Sequence, residues 1–218
     1  MPDLKLHWWD APGRGAEPAR LALTIKGIPF EDVRYSFAEK AVAEEARGRR
    51  SPFGQMPFLE VDGEVIAQSN TILRYVGRLC GLLPGDPLAA AKLEAVMDFV
   101  AMDIEPAALC SHLQGDAKLE ERRNAASPGS QFHKRLAQLD TILESIPFGE
   151  EPNMAQLKVF CETSTFISGF YDGFPTDASL FASYPNIQAL RSHVGSLPAV
   201  SEYYEGRDGF YRSFTLSK

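Results

Sequence analysis

The feature that most constrains this chain is a short break. Gly81-Leu82-Leu83-Pro84-Gly85-Asp86-Pro87 places two glycines and two prolines in seven residues. Regular helices and central strands do not tolerate that density of breakers, so residues 81–87 are expected to form a linker. The two sides of it carry different patterns. Before the break, stretches of period two alternate with stretches of period 3.6; after it, almost only the helical period remains. A length of 218 residues suffices for two small domains, here placed at 1–80 and 88–218.

In the first segment, Leu4-Lys5-Leu6-His7-Trp8 alternates apolar with polar and reads as a strand. Asp10-Ala11-Pro12-Gly13 ends it. Residues 16–26 are helix-like, and Gly27 followed by Pro29 is a stop signal. A second, weaker strand is expected at 30–35 and an Ala/Glu-rich helix at 38–47. Two short apolar runs, 57–61 and 65–67, flank Asp62-Gly63, the strongest hairpin signal in the chain. Ser69 and Asn70 then cap a helix that runs to about Arg78. The order β-α-β-α-β-β-α predicts a four-stranded mixed sheet with helices on its faces.

The second segment predicts helices within 88–112, over 131–146, 153–171 and 184–196, and from Pro198 to about Gly206. Asn153-Met154-Ala155-Gln156 has the spacing of a capping box. The fold class is therefore α/β followed by all-α.

Charge narrows the function. The net charge is −7, and the first 82 residues, with 11 basic and 11 acidic side chains, contribute none of it. An acidic chain is poorly suited to nucleic acid, and an anionic ligand is repelled less by the first segment than by the second. No run of about 18 apolar residues predicts a membrane span. The first residues have neither the basic start nor the apolar stretch of a signal peptide. Cys80, Cys110 and Cys161 form no CxxC pair, which points away from disulfides, zinc and dithiol chemistry and towards the reducing cytoplasm.

Three stretches carry a resemblance that extends over nearly the whole chain. Gln68-Ser69-Asn70-Thr71-Ile72-Leu73-Arg74-Tyr75 is similar to the helix-opening motif of Pi-class cytosolic glutathione transferases. Pro52-Phe53-Gly54-Gln55-Met56-Pro57-Phe58-Leu59 is similar to Pi, Mu and Sigma members. Leu6-His7-Trp8-Trp9-Asp10 with Gly13-Arg14-Gly15-Ala16-Glu17-Pro18 resembles the first strand and helix of Sigma and Mu members. The resemblance implies a thioredoxin-like first domain that binds glutathione, with no metal. It also implies a helical domain that helps hold a small apolar electrophile, and a homodimer.

Glutathione offers two carboxylates, an amine and a thiol, so its site needs donors at both ends and a thiol stabiliser between them. Ser69, at a helix start, offers a hydroxyl and free backbone N–H groups to a carboxylate. By resemblance Gln68 bonds the γ-glutamyl backbone, and Gln55 belongs to the same set. Met56 pairs its backbone with the cysteinyl part, next to a cis bond at Pro57. Arg50, from the basic run Arg47, Arg49 and Arg50, meets the glycine carboxylate. Asp103, or Asp98 in a shifted alignment, reaches the amine in the partner subunit.

One position departs from the family. Where related classes have a tyrosine that donates to the sulfur, this chain has Trp8; the first Tyr is Tyr35, the first Ser is Ser36 and the first Cys is Cys80. An indole N–H is a donor and can take that part, and Arg14 can add positive charge. Alternation along the strand points His7 to the opposite face. His112 is a further candidate for contact with the second substrate. Two readings follow: a transferase with an atypical thiol activator, or a glutathione-binding carrier or structural protein. A glutathione-dependent isomerase is a third.

Overall fold

The computed structural model describes residues 1–13, 15–110 and 113–215. Its sheet has the order β2-β1-β3-β4, with β1 (Leu4–Trp9), β2 (Glu31–Tyr35), β3 (Phe58–Val61) and β4 (Glu64–Ala67). β1 runs parallel to β2 and antiparallel to β3, and Asp62-Gly63 turns β3 into β4. Both turn residues have positive φ, which an Asp-Gly pair accommodates. The expected mixed sheet and element order are thus present.

The two sheet faces are dressed differently. Leu4 and Leu6 point into the main core, under α1 (Glu17–Ile25) and α3 (Ser69–Leu79). His7 points the other way. It stacks on Phe58, its cross-strand neighbour, at 4.2 Å, and its Nδ1 lies 2.9 Å from the Tyr35 hydroxyl. Its Nε2 lies 3.2 Å from Glu60. The amphipathic α2 (Lys40–Arg50) buries only Ala43 and lies beside β2.

The break after α3 is docked against the helical domain. Leu82 and Leu83 are buried, and the Met154 N–H donates to the Leu82 carbonyl at 2.9 Å. Gly77 makes room: a Cβ there would meet the Leu83 side chain at 2.9 Å. Asp86 then caps α4 (Pro87–Phe99), accepting from the Ala89 N–H at 2.7 Å.

The helical domain is arranged around α8 (Met154–Phe166), which is buried along its whole length. Its N-terminus carries the expected capping box: Asn153 accepts from the Gln156 N–H at 3.0 Å, and Gln156 accepts from the Asn153 N–H at 2.9 Å. α4, α9 (Pro185–Gly195) and α1 pack on it. Because all its sides are enclosed, its polar groups need internal partners. Lys158 pairs with Glu105 and Glu162, and these carboxylates raise its pKa against the opposing effect of burial. After α4 the chain makes a π-helical turn (Val100–Ile104), then α5 (Glu105–Leu109), α6 (Gly115–Ala125) and α7 (Gln131–Leu143). The helix α6 was not expected: its sequence is mostly charged and shows no apolar stripe. No helix among the described residues is long and apolar enough to cross a membrane.

A buried charged cluster joins the domains. Arg20, fully enclosed in α1, pairs with Glu17 and Asp32, each at 2.9 Å. Glu17 also accepts from the Tyr204 hydroxyl of α10 (Pro198–Tyr204) at 2.9 Å. Arg34 on β2 pairs with Asp32 at 2.7 Å and donates to the Tyr203 and Tyr211 hydroxyls at 3.0 and 2.7 Å.

Two outcomes are expected. Arg20→Met leaves Glu17 buried without its cation, and urea unfolding should show a loss of about 3–5 kcal/mol. Burial holds His7 below its ordinary value of 6.5, despite the opposing pull of Glu60. The unfolded chain therefore takes up a proton first as pH falls. The contribution of His7 to stability is present above about pH 6.5 and is lost on acidification towards its folded value. Urea midpoints should fall across that range in the native chain and less steeply in His7→Phe.

Candidate functional site

Three chain segments meet beyond the end of β1. The strand delivers Trp8. The loop before β3 delivers Gln55 and Met56-Pro57, whose peptide bond is cis. The end of β4 delivers Gln68 and Ser69 at the start of α3. Together with Gly15, Phe53, Ala67 and Glu105 they line a cavity of about 180 Å³.

Local geometry explains the polar side of this cavity. Gln68 has φ of +72°, a left-handed conformation rare outside glycine, and precedes the first turn of α3. No side chain caps that turn. Its leading N–H groups and the positive end of the helix dipole, beside the Ser69 hydroxyl, therefore suit an anion. Gly15 makes the close approach possible: a Cβ there would sit 2.4 Å from Ser69 Cβ and 2.8 Å from Pro57 Cγ.

At the other side stands Trp8. Its Nε1 is buried and has no hydrogen-bond partner among the described residues. An indole N–H left unpaired in this way costs free energy unless a ligand satisfies it. Trp8 also lines a second, mostly apolar cavity of about 160 Å³, with Trp9, Ala11, Pro12, Phe37 and Phe170. Trp9 stacks on Phe37 at 5.5 Å, and Phe37 faces Phe170 of the helical domain at 6.4 Å. The indole of Trp8 is thus shared by a polar and an aromatic pocket.

The structure brings together Trp8, Gln55, Met56, Pro57, Gln68 and Ser69. It does not bring Arg50 or Asp103 to that cavity. Arg50 is exposed and reaches across to Glu60 at 3.0 Å, because its place at the end of α2 sets it beside β3. Asp103 lies in the π-helical turn and pairs with Arg135 of α7 at 3.2 Å. Asp98, its alternative, is held by Asn70 Nδ2 at 2.7 Å and by Arg74. Arg14 and His112 lie outside the described residues. Tyr35 bonds His7, and burial raises the pKa of its hydroxyl. The three cysteines are buried, with thiols shifted upwards by desolvation, that of Cys80 to about 11.

The sequence reading missed four lining residues. Gly15 and Phe53 stand within the stretches that carry the resemblance. Ala67 ends a predicted strand. Glu105 had no local signal, since only the docking of the helical domain carries it to the cavity.

Known proteins resemble this chain in sequence and fold. The family model for the glutathione S-transferase N-terminal domain matches residues 4–78. Glutathione S-transferase 1 of Ascaris suum is 44% identical over 98 residues, 45% of each chain and so less than half of that relative. Glutathione S-transferase 2 of Manduca sexta is 33% identical over 143 residues, 66% of this chain and 67% of the relative. The crystal structure of the glutathione S-transferase from Ascaris lumbricoides superposes with a TM-score of 0.70 at 28% identity, covering 95% of this chain and 98% of that one. On the matched N-terminal domain, and on a one-third-identical relative covered over two thirds of its length, this chain belongs to the glutathione transferase family of enzymes.

Proposed function

We propose that the polar pocket holds glutathione, that Trp8 Nε1 donates to its sulfur, and that the thiolate attacks an electrophile held in the aromatic pocket. The observation that carries this reading is the buried indole N–H, unpartnered among the described residues, of a tryptophan that lines both cavities. The γ-glutamyl carboxylate takes the Ser69 hydroxyl and the open first turn of α3. Gln68 bonds the γ-glutamyl backbone, and the main chain of Met56 pairs with the cysteinyl unit as one more extended strand.

The chemistry needs little more. A free thiol has a pKa of about 8.5, so only a few per cent is thiolate at neutral pH. A hydrogen bond that favours the charged form lowers that value, and each unit corresponds to about 1.4 kcal/mol. The thiol proton passes to solvent. The sulfur lone pair forms a carbon–sulfur bond, and a leaving group such as chloride departs with the electrons of the broken bond. Proximity in the adjoining aromatic pocket and electrostatic stabilisation of the thiolate supply the acceleration. Stacked rings on the walls suit a flat, apolar electrophile. The homodimer implied by the resemblance belongs to this reading, and mass measurement in solution reads it directly.

Two measurements test the proposal. Ser69→Ala removes one hydrogen bond to a charged group, worth about 1.5–3 kcal/mol, so calorimetry should show glutathione binding weakened at least about tenfold. An undiminished affinity would remove the carboxylate from this place. Ultraviolet titration should put the bound thiol well below free glutathione in the native protein and close to it in Trp8→Phe. The kcat towards a chlorinated aromatic electrophile should fall by about 10- to 100-fold in that variant, with little change in KM for glutathione. A depressed thiol that persists in Trp8→Phe overturns the role of Trp8. Binding without any depression in the native protein favours a carrier.

A further inference from the structure

Arg191, on α9, is only 7% exposed, yet among the described residues its charge meets no carboxylate. Its guanidinium donates to three neutral oxygens: from Nη1 to Thr163 Oγ1 at 3.2 Å and Ser164 Oγ at 2.9 Å, and from Nη2 to the Ser213 carbonyl at 3.2 Å. It also lies over the Phe181 ring at 5.4 Å. A guanidinium has five N–H donors, so Nε and one hydrogen of Nη2 are left without an acceptor among the described residues. Buried arginines are ordinarily paired, because an uncompensated charge in a low-dielectric interior is strongly unfavourable. The contrast with Arg20, which has two carboxylates, is direct. Desolvation with no compensating anion brings the pKa of Arg191 down to about 10.

The residue adjoins space. Arg191 lines a cavity of about 670 Å³ with Ile167, Ser168, Thr176, Ala178, Arg212 and Ser213 among its other walls. Arg212 adds a second guanidinium, paired on one edge with Asp208 at 3.1 Å. The hydroxyls of Ser168 and Ser213 already donate to the Thr165 and Ser164 carbonyls, whereas that of Thr176 is unengaged among the described residues. The acidic wall residue, Asp177, accepts from the Ser179 N–H at 2.8 Å and forms no pair with Arg191. None of these residues lines the pocket assigned to glutathione.

We propose that this cavity is a second ligand site, for a phosphate group, free or on a small organic molecule, whose oxygens take the two vacant N–H donors of Arg191. Arg212 and the Thr176 hydroxyl complete the cradle. The phosphate replaces the missing carboxylate, and the volume leaves room for an organic body against Ile167 and Ala178. The site is independent of the reaction at Trp8 and binds with glutathione present.

The test is thermal unfolding of the full chain in saturating glutathione. Inorganic phosphate and phenyl phosphate are titrated separately against sodium chloride of equal ionic strength. Saturable stabilisation by about 3–5 °C is expected with at least one of them, and none with chloride. A response to phenyl phosphate at a concentration at least tenfold lower assigns the site to an organic phosphate; equal responses assign it to the free ion. Arg191→Met should abolish the effect. Since that variant loses bonds to α8, Thr176→Val with Arg212→Gln provides a second arm; it should keep the native midpoint in chloride and weaken phosphate binding about fivefold or more. No stabilisation by either phosphate, or stabilisation undiminished in the Thr176/Arg212 variant, overturns the proposal.

Discussion

The arrangement of this protein depends on the ion pair between Arg20 and Glu17, enclosed at the contact of the two domains. Arg20 also donates to the Ala11 and Trp9 carbonyls at 3.3 and 3.4 Å, so the same guanidinium holds the loop that leaves β1. Through Asp32 it is tied to Arg34, and through Arg34 to Tyr203 and Tyr211 near the other end of the chain. Desolvation pushes the Tyr211 hydroxyl up to about 12, which keeps it a neutral acceptor for the Arg34 donor. A charged cluster of this kind stabilises only when complete, because each missing partner leaves another group buried and unpaired.

Close packing converts that constraint into a site. Gly13, at φ of +97°, passes so near Thr165 that a Cβ would lie 2.5 Å from its hydroxyl oxygen. Gly15 passes equally near Ser69 and Pro57. The loop after β1 is therefore pressed between the central helix α8 and the start of α3. Trp8, immediately before it, becomes a wall between two cavities that the first domain mainly lines and the helical domain completes, with Glu105 in the polar one and Phe170 in the aromatic one.

Much of this was legible in the sequence. Asp62-Gly63 announces its hairpin because two residues of positive φ are needed there, and Asn153 with Gln156 announces the start of α8 because a capping box has fixed spacing. Trp8, Met56 and Ser69 could be named because strand ends and helix starts are local features. Other features have no local cause. The charged face of α6 lacks an apolar period, so nothing marks it as helix. The predicted helix from residue 153 stops at Phe166 rather than near Tyr171. Arg50 and Asp103 were placed by resemblance, Asp103 for a partner subunit's site; within this chain they pair with Glu60 and Arg135. Glu105 and Arg191 acquire meaning only once helices distant in sequence have docked.

The position of Trp8 has an optical consequence. The chain contains two tryptophans, Trp8 and Trp9; both line the aromatic cavity, and Trp8 lines the polar one as well. All its indole fluorescence therefore originates in the site itself. Quenching or a spectral shift on occupation of either pocket can be read without a label, and Phe170, which the helical domain adds to the wall, makes the signal responsive to movement between the domains. A molecule settling beside Arg191, whose cavity walls include no tryptophan, would leave that emission unchanged.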